Sequence, residues 1–272
     1  MGHTKSIMRE YELMTLDSAE ESVGGERPLF RRISGITVAE KEVGGAVVKT
    51  FVADEDAFTD GSAKKELGDA LLKEMKRLLK SYGISRGKKV LAIGLGNEGM
   101  TADALGAKTV DRLIIPKGDN GYTGGSLAAF KTSVGGITGL DTFDLVAGIA
   151  SRIKPDMIIA IDTLATKNLD RLSRAVQLTD GGIAPGSGVG NEQKKLCAET
   201  LGCPVIAVGV PLVIYLKHIV ASLYSDGDSL TKPLDGRAAT LVVTPKEIDA
   251  DVEDFADVIS YAVNASVHGV TK

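Results

Sequence analysis

The chain has 272 residues, 43% of them hydrophobic, which is enough for one large domain or two small ones with a proper core. Its 32 Lys and Arg and 36 Asp and Glu give a net charge of -4 with the signs interspersed, so no basic stripe argues for direct nucleic-acid binding and no polybasic segment for a membrane surface. No apolar run reaches spanning length and MGHTKSIMREYELM lacks the apolar middle of a secretory signal, so the expectation is a cytoplasmic protein without a membrane partner.

Residues 1 to about 17 are polar and acidic, with Glu10, Glu12 and Asp17, and continue into SAEESVGGE; the stretch reads as a detachable arm. From Ile33 to Val52 β-rich runs are broken by Gly44-Gly45, the pattern of a hairpin or a pair of strands. In SAKKELGDALLKEMKRLLKSYG, Leu67, Leu71, Met75, Leu78 and Leu79 recur at helical spacing and Gly83 ends the helix. From Lys89 onward the pattern is strand then helix, repeated. VLAIGL leads through a Gly-rich turn into TADALGAKTVDRLI, a helix with Thr101 as its N-cap. PKGDNGYTGGSLAAFKTSVGGITGL is read as a long loop, a lid or a surface excursion. Thr142 to Ile153 is a helix feeding the strand PDMIIAID, which ends on Asp162.

NEQKKLCAETLG then reads as a capped helix, CPVIAVGV as a strand, LVIYLKHIVASLY as an amphipathic helix and ATLVV as a strand. The long last helix begins with Thr244 as cap, Pro245 in the first turn and Glu247 completing a capping box, with Ile248, Val252, Phe255 and Ile259 as its buried stripe. This alternation predicts an α/β fold, a mostly parallel sheet with helices on both faces, in one domain. Residues 18–87 form its N-terminal hairpin and helix extension and 88–272 its core.

Two acids stand where chemistry gathers in such a fold. Asp103 follows one strand and Asp162 closes another, and in an open parallel sheet ligands bind at the carboxyl ends of the strands. Two carboxylates converging there supply a base to activate water and an acid to protonate a leaving amine. Each also has a plainer reading. Asp103 suits the positive end of its helix, and Asp162 suits an ion pair with Lys154 or Lys167.

The segment QLTDGGIAPGSGVGNEQ can aim backbone N–H groups at an anion or an oxyanion, or form a tight structural turn. It lacks the ending of a P-loop, and Ser187 lacks the flanks of a nucleophile elbow. Asn97, Thr101, Asp180, Gly186, Ser187 and Gly188 are the candidate residues lining the site. His3, His218 and His268 fit no metal-ligand spacing, so neither metal nor cofactor is expected. Cys197 and Cys203 read as small core residues of a protein in a reducing compartment.

GLGNEGMTADALG, GGITGLDTFDLVAGI, KPDMIIAIDTLA, QLTDGGIAPGSGVGN, LGCPVIAVGVPLV and LVVTPKEID occur in an order that resembles the germination protease (spore protease) family. The resemblance runs from about Gly94 to His268, with a weaker echo in the N-terminal third. It implies a phosphorylase/hydrolase-like fold related to hydrogenase-maturation peptidases, a homotetramer, and a zymogen that removes its own N-terminal arm. It further implies an atypical aspartic endopeptidase without metal that degrades small acid-soluble spore proteins in the spore core during germination. The family's catalytic aspartates match the D of TADALG, Asp103, and the D of IAID, Asp162, the pair that the strand ends select.

The departures are modest. Ala102 and Ala107 stand where the family commonly has proline, and Asp180-Gly181-Gly182 replaces D-T-G. The family's processing site is an acidic residue followed by a large apolar residue and Ala; here TLDSAEE offers Asp17, Ser18 and Ala19, which places the expected cut at Asp17-Ser18 and makes 1–17 the propeptide. Two other functions compete. A hydrogenase-maturation-like peptidase would read a metal in its partner, and the missing histidine near the strand ends argues against it. A non-enzymatic relative would bind a peptide or anion through GSGVGN, and retention of both aspartates argues against that.

Overall fold

The computed structural model describes residues 29–33, 35–54, 61–85, 87–116, 127–133, 135–186, 194–223 and 236–269. The arm with Asp17 and Ser18 lies outside the described residues, as do Ser187 and Gly188.

Gly44 and Gly45 take φ of +58° and +82°, the left-handed backbone that a tight hairpin turn needs and that side chains disfavour. They fold strand β2 (Ile36–Val43) onto β3 (Ala46–Ala53), with Val43 opposite Ala46. Strand β1 (Leu29–Ile33) pairs antiparallel with the far side of β2. Helix α1 (Ala63–Ser81) follows and buries Leu67, Leu71, Met75, Leu78 and Leu79, the stripe its spacing predicts. The core then runs through β4 (Val90–Gly94), a 3-10 turn (Thr101–Asp103), α2 (Leu105–Asp111), β5 (Leu127–Lys131), α3 (Thr142–Ile153) and β6 (Met157–Thr166). After these come β7 (Ala175–Thr179), β8 (Val205–Tyr215), α4 (Leu216–Leu223), β9 (Val242–Val243) and α5 (Ile248–His268).

The nine strands among the described residues join one sheet in the order β1-β2-β3-β7-β8-β6-β4-β5, with β9 paired to β8. The expectation of a mostly parallel sheet is met in one half alone. β5, β4, β6 and β8 are parallel, whereas β1, β2, β3 and β7 pair antiparallel. Connection length accounts for the difference, because a parallel return needs a crossover of about a dozen residues or more. A glycine pair joins β2 to β3, and only a short link containing a 3-10 turn (Leu169–Arg171) separates β6 from β7. Pairing of β3 with β7 draws β1, β2 and β3 into the core sheet.

Side chains alternate across the sheet with the strand period. Phe51, Val90, Ala92, Ile159, Ile161, Val176, Leu178 and Val208 pack beneath α1, α2 and α5. Leu91, Ile93, Ile158, Ala160, Val205 and Ala207 pack on the opposite face against Phe143, Val146 and Ala150 of α3. Helices therefore cover both faces, as the sequence predicts.

Several boundaries differ from the periodicity reading. β8 continues through Leu212–Tyr215, whose β-branched Val213 and Ile214 extend the strand, so the helix starts only at Leu216. The Gly-rich stretch read as a long loop contributes β5, which pairs with β4. ATLVV divides between a short helix (Gly236–Thr240) and the two-residue β9. Helix α5 buries Val252, Phe255 and Ile259, but it begins at Ile248 with Glu247 as N-cap and no side-chain capping bond. Of NEQKKLCAETLG, the described residues are helical only over Ala198–Leu201.

Candidate active site

β4 stops at Gly94, paired with Ile161 of β6, and Leu95 donates its N–H to the Ile161 carbonyl at 2.8 Å. β6 does not stop at Asp162 as the sequence suggested. It runs on to Thr166 beside β8, so Asp162 lies inside a strand, at the level where its other neighbour has ended. The chain leaving β4 turns back over this notch. Helix α2 can approach because Gly94 and Gly106 meet backbone to backbone; a Cβ on Gly106 would lie 2.7 Å from the Ile161 oxygen. Gly96, at φ +97°, makes the turn itself, and a Cβ there would lie 2.8 Å from Asp103 Oδ1.

The 3-10 turn carrying Asp103 packs against β6. Asp103 Oδ2 accepts the Asn97 N–H at 2.8 Å, and Asn97 Oδ1 accepts the Gly99 N–H at 2.9 Å. Asp103 thus holds the turn after β4 rather than capping its own helix. Thr101 is exposed and opens the 3-10 turn without capping anything; the α-helix begins four residues later, at Leu105.

Asp162 is only 7% exposed, and its Oδ1 accepts the N–H of Thr163 at 2.9 Å. Neither Lys154 nor Lys167 forms an ion pair with it among the described residues; Lys154 instead takes the left-handed C-cap of α3. Burial, together with the charge of Asp103, pushes Asp162 up to about 8 against the pull of the Thr163 N–H. Burial also raises Asp103, opposed by the Asn97 N–H. Of the two, Asp162 is the one that holds a proton at neutral pH, and Asp103 is the first to ionise. This is the division of labour that acid-base hydrolysis requires.

Asp180 sits elsewhere. It follows β7, whose antiparallel course carries its end towards the amino ends of the parallel strands. Thr179 pairs with Ala207 and Ala207 with Ala160, already short of Asp162. There Asp180 Oδ1 accepts the Val47 N–H at 2.8 Å and Oδ2 the Tyr82 hydroxyl at 3.2 Å, which fastens the hairpin to the end of α1. The Gly-rich segment that follows is tied to Leu196 through paired backbone bonds from Ile183, at 3.0 and 2.7 Å. Gly186 closes a turn at the edge of the described residues. The residues that sequence reasoning passed over are Gly94, Gly96 and Gly106; the signal was present in GLG and ALG, glycines at a strand-to-helix junction. Among the described residues no group of three or more His, Cys, Asp or Glu converges as a metal site, and no helix is long and apolar enough to cross a membrane.

The sequence model described as Germination protease matches residues 34–226, which include both aspartates. The chain belongs to the germination protease family. Its relatives include the germination protease of Bacillus licheniformis, 28% identical over 93% of this chain and 90% of that protein. Those of Oceanobacillus iheyensis and Bacillus cereus are 29% and 30% identical, covering 88% and 87% of this chain and 88% of each relative. The alignment with the first spans 338 positions against 272 residues here, so that relative carries segments this chain lacks. Membership in the germination protease family makes the chain a peptidase.

Proposed function

We propose that the chain is an endopeptidase in which Asp103 and Asp162 activate water directly and whose substrates are small acid-soluble spore proteins degraded as spores germinate. The observation that carries the reading is the pair of unequal acids at the end of β4, one buried and raised to about 8, the other held by the Asn97 N–H. Asp103, ionised, takes a proton from water as the water oxygen bonds to the scissile carbonyl carbon. Asp162, protonated, donates to the carbonyl oxygen. The tetrahedral intermediate then returns that proton to Asp162 while Asp103 passes its own to the leaving nitrogen, and the C–N bond breaks. Both acids end as they began.

The substrate class, self-removal of residues 1–17 at Asp17-Ser18, a homotetramer and a place in the spore core rest on the family resemblance. Unfolded substrates suit the reading, since an extended chain exposes backbone groups for recognition. The test is to incubate the purified chain with an acid-soluble spore protein, map the fragments and record the rate against pH. The rate should rise as Asp103 ionises, at a pH that its burial shifts upward, and fall near the about 8 of Asp162. A profile flat through that alkaline region, or intact substrate at every pH, would remove the aspartate pair from the chemistry.

A further inference from the structure

β7 is buried at every position, yet its centre is a glutamine. Gln177 is 1% exposed; its Nε2 donates to Thr50 Oγ1 at 3.3 Å, and its Oε1 has no partner among the described residues. A buried amide left half satisfied is destabilising, and an apolar residue would avoid that cost. Its neighbours Val176 and Leu178 point to the α1 and α5 face, so Gln177 points to the other one. Asp162, between Ala160 and Leu164 of the α3 face, points there too.

The register places them in one row. Asp162 pairs with Gly209 of β8, Gly209 with Gln177, and Gln177 with Thr50. Two strand spacings separate Asp162 from Gln177, about 10 Å, which an extended peptide covers in about three residues. Between them the sheet presents glycine. A Cβ on Gly209 would lie 2.6 Å from Leu164 Cδ1, so the Leu164 side chain lies over the glycine between the two polar groups. Thr50 holds one end of the amide and leaves the other unused. Asp162 is buried on the same face.

We propose that Gln177, anchored by Thr50, binds the backbone of the peptide substrate about three residues from the scissile bond, on the far side of Leu164 from Asp162. The free end of the amide takes a peptide N–H as acceptor or, turned over, a peptide carbonyl as donor. This rests on Asp162 marking the scissile bond, and the experiment separates the two.

A mapped cleavage site from an acid-soluble spore protein is made as peptides lengthened one residue at a time on either side, and the full chain and its variants are assayed on each. Gln177→Met keeps the volume and removes the amide. It should match the parent on the shortest peptides. On peptides long enough to cross the row it should lose about 10-fold in kcat/KM, through KM, with the melting temperature unchanged or raised. Thr50→Val frees the amide and should give a smaller loss with the same length dependence, and it carries the test if Gln177→Met does not fold. Asp162→Asn should lose cleavage at every length. An equal loss on short and long peptides, or no loss with either variant, overturns the Gln177 assignment. Normal cleavage by Asp162→Asn overturns the aspartate pair on which it rests.

Discussion

The two halves of the sheet show how the same residue type acquires different work. In the parallel half Asp162 sits where β4 has stopped and β6 continues, in a notch closed by backbone contact between Gly94 and Gly106. In the antiparallel half Asp180 also follows a buried strand, but it satisfies both oxygens on Val47 and Tyr82. A carboxylate with two donors is a fastening. One that is buried beside another acid, with a single backbone donor, is held towards its protonated form.

Substituting the acids in turn is the strongest way to break this contrast. Asp103→Asn and Asp162→Asn should each lower the rate on the order of a hundred- to ten-thousand-fold in a folded protein. Asp180→Asn should keep the rate within a few-fold and lower stability by about 1–2 kcal/mol, read by denaturant unfolding. A large rate loss in Asp180→Asn, with ordinary stability, would move chemistry to the antiparallel half.

Glycines sharpen the same comparison. Gly106→Ala drives a Cβ into the Leu95 and Ile161 backbone and should cost about 3 kcal/mol and displace Asp103. Gly45→Ala meets open space in the hairpin turn and should cost only about 1 kcal/mol, the strain of its left-handed backbone. Equal costs would mean that the approach of α2 to β6 is not the constraint.

The pH dependence of stability isolates Asp162. Its folded pKa lies above the unfolded one, so its contribution is most favourable below about pH 4 and weakens by up to about 1.4 kcal/mol per pH unit until about 8, then levels off. Asp162→Asn removes that slope. The advantage of the variant in melting temperature should therefore grow between about pH 5 and about pH 8. An advantage that stays constant across this range would place Asp162 in water. The smallest expected effect is that of a chelator, which should leave peptidase activity unchanged if the two aspartates alone activate water. Loss of activity restored by zinc would favour metal chemistry.

Much of the local structure was legible in the chain. Gly44-Gly45 announced the hairpin, and the leucine spacing announced α1. Strand runs announced β4 and β6, each carrying or preceding its acid. What misled were segments whose local pattern fits two structures. The apolar run Leu212–Tyr215 suits a helical face or a strand, and pairing with β6 and β9 settles it as strand. QLT looked like the start of a loop because the glycines after it dominate the reading, yet pairing with β3 and β8 makes it the end of β7.

The sequence by itself determined which residues are buried in each element and which acids stand next to strands, because burial is written into periodicities of two and 3.6 residues. Only the tertiary structure decided strand direction and order, since a buried strand carries a similar apolar pattern whichever way its neighbour runs. That choice turned Asp180 away from the site and set Gly209 between Asp162 and Gln177. It depends on connection length and on packing between residues far apart in the chain, which no local window contains.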